Sequence, residues 1–227
     1  MVEYNAVIFD FFGTLTKGHC APEDKIISEW QLDQRLGFKY NKIEDVVCGT
    51  ACETPFTEKR SSEYFQTLIK ELGLPLDSEE RLKEIFEKDI ESEKLIKGVP
   101  EIIAYVGNKG YKLGMISDLP NPDYDLARKK FRFDHWFDFR HLSYNPDWVK
   151  NLKEGQGILK PEPAIFERTV ERLGTNYENT LMIGNNLKTD IEPARKLGMR
   201  AILADYHNKN PNNPDRIENL EELRDIL

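Results

Sequence analysis

The chain has 227 residues, enough to bury a substantial core as one domain with a sizeable insertion or as two small ones. It carries 32 Lys and Arg against 40 Asp and Glu, a formal net charge of -8, which argues against non-specific nucleic-acid or anionic-membrane binding as a main role and makes any phosphate site a local one. Cys20, Cys48 and Cys52 are odd in number and lack C-x-x-C spacing, so a disulfide framework is not expected and the cytoplasm is the simplest location.

In chain order, "NAVIFD" (5–10) is the first strand expected, an apolar run too short and too acidic at its end for a signal peptide. From about 17 to 97 the chain contains helical patterns such as "PEDKIISEWQLDQRLGF", "RSSEYFQTLIKELGL" and "SEERLKEIFEKDIESEKL", with no convincing strand, and this stretch reads as an all-helical insertion. "VPEIIAYVGNKG" then spaces Val99, Ile102, Ile103 and Val106 at helical intervals, before a second strand "YKLGMIS" (111–117). The aromatic cluster "FRFDHWFDF" (131–139) reads as packing, and "SYNPDWVKNLKEGQG" (143–157) as a loop. "PAIFERTVERLG" is an amphipathic helix, "TLMIG" (180–184) a strand, "TDIEPARKLG" a helix and "RAILAD" (200–205) a strand, and the chain ends in a turn-rich connection to a short amphipathic helix. Continuous apolar strands alternating with helices predict an α/β fold with a doubly wound, Rossmann-like parallel sheet and right-handed crossovers. No apolar run approaches the ~20 residues that a membrane span needs, and a soluble protein is expected.

In such sheets ligands bind at the carboxyl ends of the strands, so the residues after each apolar run carry the chemistry. They are Asp10 after the first, Ser117 and Asp118 after the second, Lys160 in "GILKPEPAIF", and Asn185, Asn186 and Asp190 after "TLMIG". An acid, a hydroxyl, a cation and a second acid at one mouth describe a phosphate or carboxylate site with a nucleophile in it. Each residue also has a simpler reading. Asp190 could only cap the helix that follows, Ser117 and Asp118 could form a strand-end turn, and Lys160 could be a solvated loop lysine. Asp10 has little helical pattern to cap. A metal site built from His19, Cys20, Cys48 and Cys52 is disfavoured by its spacing.

Taken together, "VIFDFFGTLT", "LGMISD", "LKPEPAIF" and "MIGNNLKTDI" resemble, in order, the four motifs of the haloacid dehalogenase superfamily of hydrolases, and the helical insertion falls where that family places its C1-type cap. The resemblance implies a core of residues 1–16 and 98–227 and a cap of 17–97. It implies that Asp10 is a nucleophile forming an aspartyl-phosphate, and that Ser117 and Asp118 bind the phosphoryl group. Lys160 would neutralise phosphoryl charge and restrain Asp10, and Thr14 with the amides of the turn from Phe11 to Leu15 would complete the cradle. It further implies Mg²⁺ held by Asp10, the Phe12 carbonyl, Asn185 and Asp190, and a small phosphorylated substrate under a closing cap. A monomer and a homodimer both remain open.

Two positions depart from the phosphatase pattern. Phe12 stands where these phosphatases usually carry an Asp that protonates the leaving group, help worth roughly 10²–10⁴-fold. His19, Glu23 and Asp24 are the nearby residues that could substitute. Asn185 stands where an acid is common, offering Mg²⁺ an oxygen without charge. An aromatic at position 12 resembles the family's 2-haloacid dehalogenases, which need no metal. Yet Leu187 replaces their asparagine, Phe166 replaces their tyrosine, and Gln31 follows Trp30 where they keep an arginine, with Arg35 one turn later. A phosphatase is therefore the first expectation, a cofactor-free dehalogenase the second, and a weakened family member that binds a ligand or partner the third.

Overall fold

The computed structural model describes residues 4–18, 22–32, 61–118, 121–142 and 159–227, with the backbone alone at 22–24, 61–63, 121–123 and 142. His19, the three cysteines, Arg35 and the 143–157 segment lie outside the described residues, as do the side chains of Glu23 and Asp24.

The sheet is six-stranded and parallel throughout, with spatial order β3-β2-β1-β4-β5-β6. Its strands are β1 (Ala6–Phe9), β2 (Lys112–Ser117), β3 (Phe139–Leu142), β4 (Thr180–Gly184), β5 (Arg200–Ala204) and β6 (Arg216–Ile217). The four apolar runs expected to be strands are β1, β2, β4 and β5. β1 is central because its four residues are apolar and all fully buried, which suits a strand covered on both faces. Its side chains alternate between two layers. Val7 and Phe9 face one layer, built on Val99, Ile102, Ile103 and Val106 of a helix over Val99–Asn108, while Ala6 and Ile8 face the other, built on Ile165, Phe166, Val170 and Leu173 of a helix over Pro163–Leu173.

Between β1 and the helix at Val99–Asn108 the described residues form α1 (Pro22–Trp30), α2 (Ser61–Glu71) and α3 (Glu79–Ser92). These helices have their own apolar cluster, with Ile26, Tyr64, Phe65, Leu68, Leu82 and Phe86 buried in it, and Leu126 and Leu159 packed against it from outside. A bidentate Arg81–Glu29 pair, at 2.9 and 2.7 Å, ties α3 to α1. Lys130, on a helix over Asn121–Phe131 (α5, following α4 at Val99–Asn108), donates to the carbonyls of Ile90, Glu91 and Glu93 at 2.8, 2.5 and 2.6 Å. A cation thus meets the orphan carbonyls at the C-terminus of α3. The two connections to the sheet run side by side, with an antiparallel bridge Thr16–Leu95 and the Gly18 N–H donating to the Glu93 carboxylate at 3.1 Å.

The rest of the chain adds α6 (Pro163–Leu173), α7 (Glu192–Lys196) and α8 (Leu223–Ile226). The reading of 131–139 as aromatic packing needs an addition. Phe133 is fully buried with its ring 4.6 Å from Phe11, but Phe139 opens strand β3. Among the described residues no helix is long and apolar enough to cross a membrane.

Candidate active site

The strand order reverses its direction of growth between β1 and β4, the crevice where open parallel sheets bind ligands. Register sets both neighbours level, Phe9 opposite Met115 on one side and Ile183 on the other, so Asp10, Ser117 and the segment after Gly184 emerge at the same edge. The Asp10 N–H donates to the Ile183 carbonyl at 2.9 Å, extending the ladder by one residue and fixing the start of the turn.

Lys160, Asp10 and Asp190 form a compact ionic cluster. The Lys160 ammonium donates to Asp10 Oδ1 at 2.6 Å and to Asp190 Oδ1 at 2.7 Å, and all three side chains are nearly or fully buried. Thr14, fully buried, donates its hydroxyl to Asp10 Oδ2 at 2.8 Å. Both oxygens of Asp10 are therefore held, which locks the carboxylate's rotation. A threonine hydroxyl has one proton, and here it is donated to Asp10.

The turn is partly bonded within itself. The N–H groups of Thr14, Leu15 and Thr16 all point to the Phe11 carbonyl, at 3.3, 2.8 and 3.2 Å, so those of Thr14 and Leu15 are spent inside the turn and not presented as a cradle. Gly13 sits at its bend with φ +77, and a Cβ there would lie 2.1 Å from the Asn185 side-chain nitrogen. Only glycine permits both the left-handed backbone and the seating of Asn185 against it. Phe11 is fully buried, a core residue, whereas Phe12 is half-buried with its ring edge-on to Phe11 at 5.4 Å.

Asp190 is positioned by a single π-helical turn, Leu187–Ile191, of the kind that recurs at functional sites. Asn186 caps it, its side-chain oxygen accepting from the N–H groups of Lys188 and Thr189 at 2.9 and 3.3 Å, while its own N–H donates to Asp190 Oδ2 at 3.0 Å. A Cβ at Gly184 would stand 2.4 Å from that of Asp190, so the strand must end in glycine for the acid to fold back over it. Ser117 is buried at the end of β2. Asp118 accepts the Lys160 backbone N–H at 3.1 Å, which makes it an anchor for the loop carrying the lysine.

Burial pushes the Asp10 carboxyl up to about 6, with Asp190 adding to the rise and Lys160 and Thr14 opposing it. Burial works against the Lys160 ammonium, but Asp10, Asp190 and Asp118 outweigh it and hold its proton more tightly than an ordinary lysine's. With both acids ionised the cluster carries one net negative charge. A hard cation fits that imbalance, and the donors nearby are oxygens, as Mg²⁺ requires. Among the described residues no three His, Cys, Asp or Glu side chains gather to hold a metal, so Asn185 or a backbone carbonyl would have to complete the set.

Sequence reasoning missed Tyr206. Its hydroxyl donates to the Thr14 carbonyl at 2.7 Å, bracing the turn from behind, and burial followed by the Asp10 charge raises it above an ordinary tyrosine. The signal was available, because Tyr206 follows strand β5 at the same edge of the sheet.

A family model of haloacid dehalogenase-like hydrolases matches residues 4–198, and the chain belongs to that family. It is 30% identical over 129 residues to a glyceraldehyde 3-phosphate phosphatase of Methanothermobacter thermautotrophicus, a match covering 53% of each chain. The chain spans about half the length of the curated relatives it matches, 42% and 53% for two archaeal phosphatases. Among solved structures it is similar to a phosphatase of the same superfamily from Thermococcus onnurineus, with TM-score 0.64 and 22% identity over 98% of this chain and 97% of the other. It is similar also to a 2-haloacid dehalogenase from Pseudomonas syringae pv. Tomato DC3000, with TM-score 0.62 and 20% identity over 100% and 98%. At these identities the structural likeness describes the fold alone.

Proposed function

We propose that this member of the haloacid dehalogenase-like hydrolase family is a phosphatase that acts on a small phosphorylated metabolite through Asp10. The observation that carries the proposal is the buried Asp10–Lys160–Asp190 cluster at the switch point of the sheet, with Thr14 fixing the nucleophile's rotation. The phosphatase name of the archaeal relative supports the substrate class.

In this reading an ionised Asp10 oxygen attacks phosphorus. The aspartyl oxygen–phosphorus bond forms while the bond to the leaving oxygen breaks, its electron pair departing with the leaving group. Water then attacks phosphorus, releasing inorganic phosphate and restoring Asp10. Lys160 keeps its proton throughout and offsets phosphoryl charge, and Ser117 donates to a phosphoryl oxygen. Mg²⁺, held by Asp10, the Phe12 carbonyl, Asn185 and Asp190, would supply the positive charge that the cluster lacks against a dianionic phosphate. The helices between residues 17 and 97 serve as the cap, moving on the paired connections around Thr16 and Leu95.

Phe12 cannot protonate a leaving oxygen. Substrates whose leaving group departs as a weak base, such as aryl or acyl phosphates, are therefore turned over faster than alkyl phosphates. The same residue is the one observation that favours a second reading, metal-free displacement of halide from a 2-haloacid, since halide needs no proton.

The test is hydrolysis of p-nitrophenyl phosphate with Mg²⁺ and with EDTA, for the wild type and Asp10→Asn. Metal-dependent turnover lost in the variant is expected. No turnover under either condition, with halide release from 2-chloropropionate in EDTA, would establish the second reading instead.

A further inference from the structure

Beside the Asp10 turn lies a cavity of about 360 Å³ that shares Asn185 with the metal-holding set proposed above. Gly13, Lys17, Gly18 and Asn185 line one side, and the loop after β5, with Asp205, Tyr206, His207, Lys209 and Asn210, lines the other. Its volume lies within the range of small-ligand sites.

The loop is built to face it. Asp205 is buried, and its two oxygens accept the N–H groups of Lys209 and Asn210 at 2.8 and 2.6 Å, with the Arg216 guanidinium 3.9 Å away. These bonds shape the loop, and the carboxylate, 3.9 Å from Arg216, stands as one acid against the two lysines of the lining. Asn208 takes the left-handed conformation, φ +53, that lets the chain turn back within these few residues, and asparagine is a residue that tolerates it. The cations on the walls are differently placed. Among the described residues neither the Lys17 nor the Lys209 ammonium forms an ion pair. In a chain of net charge -8, two such lysines facing one cavity from two elements form a local positive site.

The cavity also communicates with the cluster through bonds. Its Tyr206 wall donates to the Thr14 carbonyl, and Thr14 donates to Asp10. Its Asn185 wall packs against Gly13, three residues beyond Asp10.

We propose that this cavity is an oxyanion subsite, in which Lys17 and Lys209 receive a second anionic group carried by the non-transferred part of the phosphorylated substrate. The inference rests on the phosphatase reading for the identity of the first anion and names the substrate class more narrowly: a phosphate ester or anhydride bearing another carboxylate or phosphate.

A matched pair of aryl phosphates tests it, phenyl phosphate and 4-carboxyphenyl phosphate, by titration calorimetry on the Asp10→Asn protein with Mg²⁺ and by turnover on the wild type. The carboxylated ligand is expected to bind about two- to thirtyfold more tightly, the preference that two exposed cation–anion contacts can supply. Lys17→Met with Lys209→Met should erase that preference, and Lys17→Arg with Lys209→Arg should keep it. Equal binding of the two ligands, or a preference that survives the double methionine variant, overturns the subsite. The two readings separate cleanly. Turnover of both phosphates without a binding preference removes the subsite and keeps the phosphatase. A lysine-dependent preference without turnover does the reverse, and a protein that neither binds nor hydrolyses either compound refutes both.

Discussion

Replacing Lys160 by methionine, which keeps most of the side-chain volume and removes the charge, leaves Asp10 and Asp190 buried without the cation that lies 2.6 and 2.7 Å from them. Removing one partner of a buried ion pair costs about 3–5 kcal/mol because the other charge stays buried. For a chain of this length each kcal/mol moves Tm by about 2–4 °C, so a fall of roughly 6–20 °C is expected at pH 8. The loss must depend on pH, and its sign follows from Asp10. Burial already holds the folded carboxyl up at about 6, above an unfolded aspartate near 3.9. Between those values the folded protein binds a proton that the unfolded chain does not, and stability falls as pH rises. Without Lys160 the folded carboxyl titrates higher still, so the fall continues above pH 6 in the variant after it has levelled off in the wild type. The Tm gap should therefore be small at pH 5 and widest near pH 8. Thermal melts of both proteins in EDTA across that range measure it. A gap that is constant from pH 5 to 8, or that narrows with rising pH, would refute Lys160 as the counter-charge of the acids.

Phe12→Asp supplies the missing proton donor, and should raise kcat/KM for alkyl phosphates relative to p-nitrophenyl phosphate by about tenfold or more in a paired kinetic assay. Tyr206→Phe removes the brace on the Thr14 carbonyl, costing about 1 kcal/mol in a urea titration together with a several-fold drop in kcat, since the turn then holds Asp10 less firmly. Gly13→Ala puts a methyl group where the Asn185 amide sits and strains a left-handed turn. It should lower stability by about 1–2 kcal/mol and raise the Mg²⁺ concentration for half-maximal rate, read from a metal titration.

What was legible in the sequence follows burial. "AVIF" and "TLMIG" announce themselves because strands covered on both faces are uninterrupted apolar runs, and the acids after them mark the mouth of the sheet. β3, with the sequence FRHL, lies at the sheet's edge and mixes charge with aromatic residues, so it carries no such run, and β6 is two residues long. The helix over Asn121–Phe131 was also missed, as only Tyr124 and Ala127 among its described side chains are fully committed to the core. At the site, residue types after the strands placed Asp10, Ser117, Lys160 and Asp190 at one edge. The partners within that edge were not readable. That Thr14 spends its proton on Asp10, that Asp118 anchors a backbone, and that Tyr206 reaches across from β5 are facts of tertiary contact between segments up to 192 residues apart.

Phosphoryl transfer through Asp10 requires that this residue be covalently modified during turnover. Acid quench of the wild type during hydrolysis of p-nitrophenyl phosphate with Mg²⁺, followed by borohydride reduction, converts an aspartyl-phosphate to homoserine, which peptide mass spectrometry can locate. Homoserine is expected at position 10 and at no other acid, and only in samples quenched with substrate present. Reduction at another residue, or full turnover with Asp10 never modified, would contradict it.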